Sequence, residues 1–252
     1  MKNKQHAATL DEQDILADYK AKFYLPDGVI YLDGNSLGPM PLAAKKRSQD
    51  VVESQWATSL IKSWNEHNWI SLPQTVGEKI APLVGAARGQ VICCDSVSVN
   101  LYKVLKAALA LRPERTVIAS TQSNFPTDLY IAEGVLEDKR GALEFLDEDS
   151  VVSQLHEGIA VLMLTEVNFR TGAKLDMRTI TREAHRLGIL VVWDLAHSTG
   201  AFEVNLDACD ADFAVGCTYK YLNGGPGNHG SIFIHSNHQR VKIIIISLCL
   251  FS

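Results

Sequence analysis

Residues 158–167 read GIAVLMLTEV, an apolar run unbroken from Ile159 to Leu164. A short run with no polar alternation is a strand covered on both faces, since a strand with one wet face alternates. Working outward, four more runs have the same character: QVICC (90–94), RTVIAS (115–120), ILVVWD (189–194) and ADFAVGCT (211–218). Helical patterns separate them. DSVSVNLYKVLKAALAL (95–111) opens on a cap signal and continues as an amphipathic helix, TQSNFPTDLYIAEGVLED (121–138) reads as a turn and helix, and NFRTGAKLDMRTITREAHRLG (168–188) reads as a loop and helix. Apolar strands alternating with helices, without hairpin signals, predict a three-layer α/β/α fold around a mostly parallel sheet.

Upstream, the spacing predicts an exposed helix from Asp11 to about Lys22, then a short strand and a Gly/Asn/Pro-rich turn in VIYLDGNSLGPMP (29–41). Ala43, Val51, Val52, Trp56 and Leu60 lie near helical spacing between Pro41 and Trp69, and SLPQTVGEKIAPLVGA (71–86) reads as a helix with a proline at its entry. The 24 basic and 29 acidic side chains of the 252 residues give a net charge of −5, with no basic stripe for nucleic acid. Five cysteines, two of them adjacent, form neither a disulfide framework nor a zinc pattern, so no metal is expected. The N-terminus has no secretory apolar run and the apolar tail VKIIIISLCLFS (241–252) is too short to span a bilayer. A cytoplasmic enzyme with no membrane partner is the expectation.

Ligands of parallel sheets collect at the carboxyl ends of the strands. Ser96 and Ser98 follow the first strand at a helix start, which suits either a simple N-cap or a phosphate site. Asp194 ends an apolar strand, where a carboxylate needs a helix amide or a ligand's protonated ring nitrogen as partner; His197 follows three residues on. Phe125 belongs either to the core or against a ring. Lys220, in GCTYKYLNGGPG (216–227), is either a surface lysine or a partly desolvated nucleophile for imine formation. The combination is the parts list for pyridoxal 5′-phosphate.

The motifs YLDGNSLG (31–38), SNFPTDLYIAEG (123–134), WDLAHSTGA (193–201) and GCTYKYLNGGPG closely resemble the kynureninase family, from about residue 10 to about residue 235. That resemblance implies the large domain of the aspartate-aminotransferase fold type, a homodimer, and hydrolytic Cβ–Cγ cleavage of L-kynurenine, or its 3-hydroxy form, to anthranilate and L-alanine in tryptophan catabolism. It implies that Lys220 carries pyridoxal 5′-phosphate and acts as base, and that Asp194 pairs with the ring nitrogen beside His197. Val97 and Ser98 would meet the phosphate, and Phe125, Pro126, Thr127 and Asp128 the ring. Thr165 and Tyr219 would be further cofactor contacts, Tyr219 also a proton relay, and Ser36 would approach the substrate. The implied organisation is an N-terminal arm and helix over 1–45, a cofactor-binding domain over 46–240 and an atypical tail over 241–252. The family continues past residue 240 into a domain that supplies a substrate-binding arginine, so the expectation here is a premature stop or a frame-shifted tail. Two alternatives are a non-catalytic remnant and a cysteine desulfurase; the latter family places His directly before its lysine, where this chain has Tyr219.

Overall fold

The computed structural model describes residues 4–137 and 141–238; the apolar tail at 241–252 lies outside them. Ahead of the main sheet come α1 (Lys4–Glu12), the two-residue strands β1 (Phe23–Tyr24) and β2 (Met40–Pro41), α2 (Leu42–Asp50), α3 (Ser63–Glu66) and α4 (Leu72–Ile80). Then follow β3 (Val91–Cys94), α5 (Val97–Ala110), β4 (Val117–Thr121), α6 (Pro126–Glu137) and β5 (Ala142–Leu146). The remaining elements are β6 (Ile159–Thr165), α7 (Met177–Arg186), β7 (Leu190–Asp194), β8 (Phe213–Cys217) and β9 (Gly230–Ile234).

Seven strands form one sheet in the order β3-β9-β8-β7-β6-β4-β5. The pairs β4–β5, β4–β6, β6–β7 and β7–β8 are parallel, whereas β9 runs against both β3 and β8. Strand alternation divides the core between two faces. Val191 and Trp193 of β7 pack with Ile80 of α4 and with Met177, Ile180 and Ala184 of α7. Leu190 and Val192 point the other way, into a cluster with α5 and α6. On α5, Leu101, Val104, Leu105, Ala108 and Leu109 recur at helical spacing and are buried at 0–1% exposure. Truncating Leu105 to alanine would cost about 2–5 kcal/mol. Ser96 caps this helix, its Oγ accepting from the Val99 amide at 3.3 Å.

The structure departs from the sequence expectations at five places. In place of one helix from Asp11 to about Lys22, α1 ends at Glu12 and a 3-10 turn spans Ala17–Lys22; in the break between them Asp14 Oδ1 accepts from the Leu16 amide at 2.9 Å. Residues 29–32 form no strand, and Ile30 and Leu32 stand 87% and 85% exposed; an apolar run becomes a strand only with a ladder partner, and β1 pairs β2 instead. The helical stretch from Pro41 to Trp69 is interrupted at Leu60 and Asn68, whose φ angles of 49° and 57° end the turns they follow. Strands β5 and β9 are additional, and the antiparallel pairing of β8 with β9 joins strands separated by residues 218–229, a connection too long to read as a hairpin turn. No helix among the described residues is long and apolar enough to cross a membrane.

Candidate active site

Because β3, β4, β7 and β8 all point the same way, the segments after them converge on one edge. Antiparallel β9 begins there. Between these segments lies a cavity of about 170 Å³, lined by Ser96, Val97 and Ser98 at one end, by Asp128 and Asp194 with Phe125 and Thr127, and by His197, Tyr219 and Lys220. Ala196, Cys217, Gly227, Asn228 and Gly230 complete the wall.

The end at α5 suits an anion. The opening amides of a helix have no intrahelical acceptor, and its dipole favours negative charge there. The strand opposite offers no side chain: a Cβ on Gly230 would stand 2.7 Å from the Gly216 carbonyl and 3.0 Å from Asn100 Nδ2. Asn100 is itself fixed, donating from Nδ2 to the Cys94 carbonyl at 2.7 Å.

The opposite end holds two carboxyls. Asp194 Oδ1 accepts from the Ala196 amide at 2.8 Å, and Asp128, in the first turn of α6, is 1% exposed, with the Asp194 carboxyl as its side-chain hydrogen-bond partner and no N–H donor on its Oδ2. Burial pushes the Asp194 carboxyl up; burial, and then the Asp194 charge, push Asp128 well above the usual range, while Lys220 pulls both down.

Lys220 is 7% exposed, with Nζ 2.9 Å from His197 Nε2 and 5.8 Å from the ring centres of both Phe125 and Tyr219. Burial, with the Lys220 charge second, drives His197 down to about 4, so the neutral ring accepts the lysine's hydrogen at Nε2 and carries its own on Nδ1. Burial pushes the Tyr219 phenol up to about 12, which keeps its proton in place as a donor. Phe169 packs edge to face on Phe125 at 5.1 Å and stacks on His197 at 6.4 Å.

The turn around Lys220 is fastened from outside. The Gly38 amide donates to the Tyr219 carbonyl at 2.8 Å and Asn223 Nδ2 to the Pro39 carbonyl at 3.0 Å. A Cβ on Gly38 would lie 2.3 Å from the Lys220 carbonyl oxygen, so that approach requires glycine.

Of the residues singled out from sequence, Val97, Ser98, Phe125, Thr127, Asp128, Asp194, His197, Tyr219 and Lys220 meet at the cavity. Pro126, which opens α6, is not in the lining, nor is Thr165, whose Oγ1 donates to the Val167 carbonyl at 3.2 Å. Ser36 is exposed and donates to Asp33 Oδ1 at 2.8 Å; its loop touches the lysine turn through Gly38 instead. Asn228, Gly230 and Phe169 escaped sequence reasoning. The antiparallel strand that brings Gly230 back to this edge was the missing signal.

The kynureninase of Burkholderia pseudomallei is 47% identical over 247 residues, covering 95% of this chain; the chain spans 59% of that relative's length. Among solved structures, the cysteine desulfurase of Thermococcus onnurineus is similar with TM-score 0.73 at 19% identity, over 90% of this chain and 59% of its own. A C-DES variant with glycine covalently linked to its PLP cofactor has TM-score 0.73 at 15% identity, over 88% and 60% of the two chains. These two similarities describe the fold. A family model described as aminotransferase class-V matches residues 70–238. With two thirds of its length covered by that match, the chain belongs to the aminotransferase class-V family.

Proposed function

We propose that this chain forms the cofactor-binding part of a kynureninase, which hydrolyses the Cβ–Cγ bond of L-kynurenine to anthranilate and L-alanine with pyridoxal 5′-phosphate held at Lys220. The observation that carries the reading is the lining of one cavity: a buried lysine between a helix start suited to an anion and a buried carboxyl pair, Asp128 and Asp194, that meets no N–H donor at Asp128 Oδ2. Those three features match an aldehyde, a phosphate and a protonated ring nitrogen. The 47% identity to a kynureninase supports the choice of substrate.

When bound, pyridoxal 5′-phosphate supplies an aldehyde that captures amines and a protonated ring that draws electrons from the substrate. The chain's own residues do the rest. Val97 and Ser98 would hold the phosphate through the start of α5. Asp194, with Asp128 beside it, would hold a protonated ring nitrogen, and both carboxyls would be drawn toward their ionised form, since an opposite charge favours the carboxylate. Lys220 Nζ, hydrogen-bonded to neutral His197, carries a proton to and from the substrate's α-carbon. Tyr219 keeps its phenolic proton and donates it where negative charge develops. Phe125 lines the lysine's side of the cavity, with Phe169 packed on its edge. A homodimer in the cytoplasm is part of the same reading.

The test is an absorption titration of the purified chain with pyridoxal 5′-phosphate. A band in the near-ultraviolet to visible range should appear in the wild type and vanish in Lys220→Ala. Loss of kynurenine with growth of anthranilate fluorescence then tests the substrate. A wild type without the band would sink the cofactor reading, and a band without anthranilate would sink the substrate.

A further inference from the structure

Outside the cavity, one carboxylate joins the loop that brings Phe125 to the cavity wall to the loop that carries Phe169. Glu148 follows edge strand β5, at the head of the short 3-10 turn Glu148–Gln154. Its Oε2 accepts from Ser123 Oγ at 2.5 Å and from Asn168 Nδ2 at 3.0 Å, and its Oε1 lies 3.1 Å from the same Nδ2. Ser123 stands two residues before Phe125 in the loop after β4. Asn168 stands one residue before Phe169 in the loop after β6.

Asn168 organises its own loop, and Asn124, the residue after Ser123, organises the other. Asn168 is 3% exposed, and its Oδ1 accepts from the Arg170 amide at 2.9 Å and the Thr171 amide at 3.3 Å. Its carbonyl accepts from the Gly172 amide at 2.8 Å, so the turn carrying Phe169 is built around this one side chain. On the other loop, Asn124 Nδ2 donates to Ser120 Oγ at 3.0 Å, while Asn124 Oδ1 accepts from the Phe125 amide at 2.7 Å. Apart from the edge-to-face contact of the two phenyls, at 5.1 Å, the Glu148 carboxylate is the bridge between these loops. Hydrogen bonds to an ionised acceptor are stronger than neutral ones and directional, so one carboxylate fixes the spacing of both partners.

We propose that Glu148 is a positioning residue: it ties the loop at 121–125 to the loop at 167–172 and thereby holds Phe125, in the wall of the Lys220 cavity, against Phe169, which lies outside that wall. It touches neither the cavity nor Lys220 and acts through the two phenyl rings, one of which stacks on His197. The role in cofactor binding rests on the reading of the cavity given above; the tie between loops does not.

The experiment therefore has two arms. Hydrogen–deuterium exchange of the cofactor-free chain should show Glu148→Ala speeding exchange over 121–128 and over 168–173 together, by roughly 10-fold for the loss of two hydrogen bonds worth about a decade in the opening equilibrium. Peptides from β7 and α5 should keep wild-type rates, which shows that the variant is folded. Ser123→Ala, which removes one of the two ties, should give a smaller rise, and Glu148→Gln, which keeps an acceptor, should recover part of the protection. Faster exchange in one loop alone, or in neither, overturns the proposal. In the second arm, titration with pyridoxal 5′-phosphate should show the apparent Kd of the Lys220-dependent band rising roughly 10-fold in Glu148→Ala. The exposed neighbour substitution Asp149→Asn should leave that Kd at the wild-type value. An unchanged Kd in Glu148→Ala with both loops loosened would overturn the wall. A wild type without the band would instead sink the cofactor reading, leaving the exchange arm to decide the tie.

Discussion

Replacing Gly77 with alanine separates helix chemistry from packing, because the two predict opposite signs. Gly77 lies inside α4, where alanine is favoured over glycine by up to about 1 kcal/mol in an isolated helix. In the fold, a Cβ at this position would stand 2.2 Å from the Val91 carbonyl oxygen, 2.7 Å from its carbonyl carbon and 2.9 Å from Ile92 Cα. Ordinary contact begins at 3.4 Å, so α4 and β3 must part by about 1 Å. The obstructing atoms are backbone and cannot rotate aside. Overpacking of that kind costs about 3 kcal/mol, which leaves a net loss of about 2 kcal/mol after the helix gain. With a urea m-value of roughly 2–3 kcal/mol/M, the unfolding midpoint should fall by about 0.7–1 M at unchanged m. The damage should also reach the site, since among the described residues β3 is an edge strand whose one ladder partner is β9, and it leads directly into the helix start at Ser96–Ser98. Pyridoxal 5′-phosphate should therefore bind about 10-fold more weakly, although Gly77 is not in the cavity wall. Urea unfolding followed by far-ultraviolet circular dichroism, with a cofactor titration below the transition, measures both. A midpoint equal to or above wild type would refute the close approach of α4 to β3.

Two further substitutions use the carboxylates. Asp212 accepts from His185 Nε2, His238 Nε2 and the Val191 amide, each at 2.8 Å, and although burial opposes it these bonds hold its carboxyl down at about 2. A depressed carboxyl contributes stability that is present above its unfolded value, near 4, and is lost as pH falls toward about 2. Asp212→Asn should cost roughly 2 kcal/mol at pH 7, and thermal melts from pH 7 to 3 should show the gap to wild type closing. Asp128 has the opposite sign: its carboxyl is raised, so the cofactor-free chain loses stability as pH rises from about 4 through the folded value. Asp128→Asn should flatten that slope and stabilise the cofactor-free chain at pH 8 by on the order of 1 kcal/mol, while weakening cofactor binding. Urea midpoints at pH 6 and 8, with and without pyridoxal 5′-phosphate, would expose a reversed sign.

The buried parallel strands were legible because each is an uninterrupted apolar run: β6 and β7 are covered on both faces, and no other element gives that pattern at that length. Strand β5 was not, since ALEFL is an edge strand only half covered and its glutamate breaks the run. GSIFI, which forms β9, lies between polar turns and follows β8 by a loop too long for a hairpin signal. VIYL erred in the other direction, as pairing partners are invisible to composition. For the site, residues directly after strands could be gathered by topology, and Lys220, Asp194 and Asp128 were found that way. Thr165, the last residue of β6, enters only through the family resemblance, and its hydroxyl donates to the Val167 carbonyl of its own loop. Glu148 and Phe169 gain meaning only through contacts across loops, for which sequence spacing carries no signal.

The cavity wall takes residues from the ends of β3, β4, β7 and β8 and the start of β9, spread along the chain from Ser96 to Gly230. None of those strands alone offers more than a fragment of it, and the pairings that bring them together span distant parts of the sequence. A ligand colour that depends on Lys220 would therefore report on the completion of folding. Its appearance during refolding should lag behind the helical signal, by the time β9 needs to insert between β3 and β8 and close the wall.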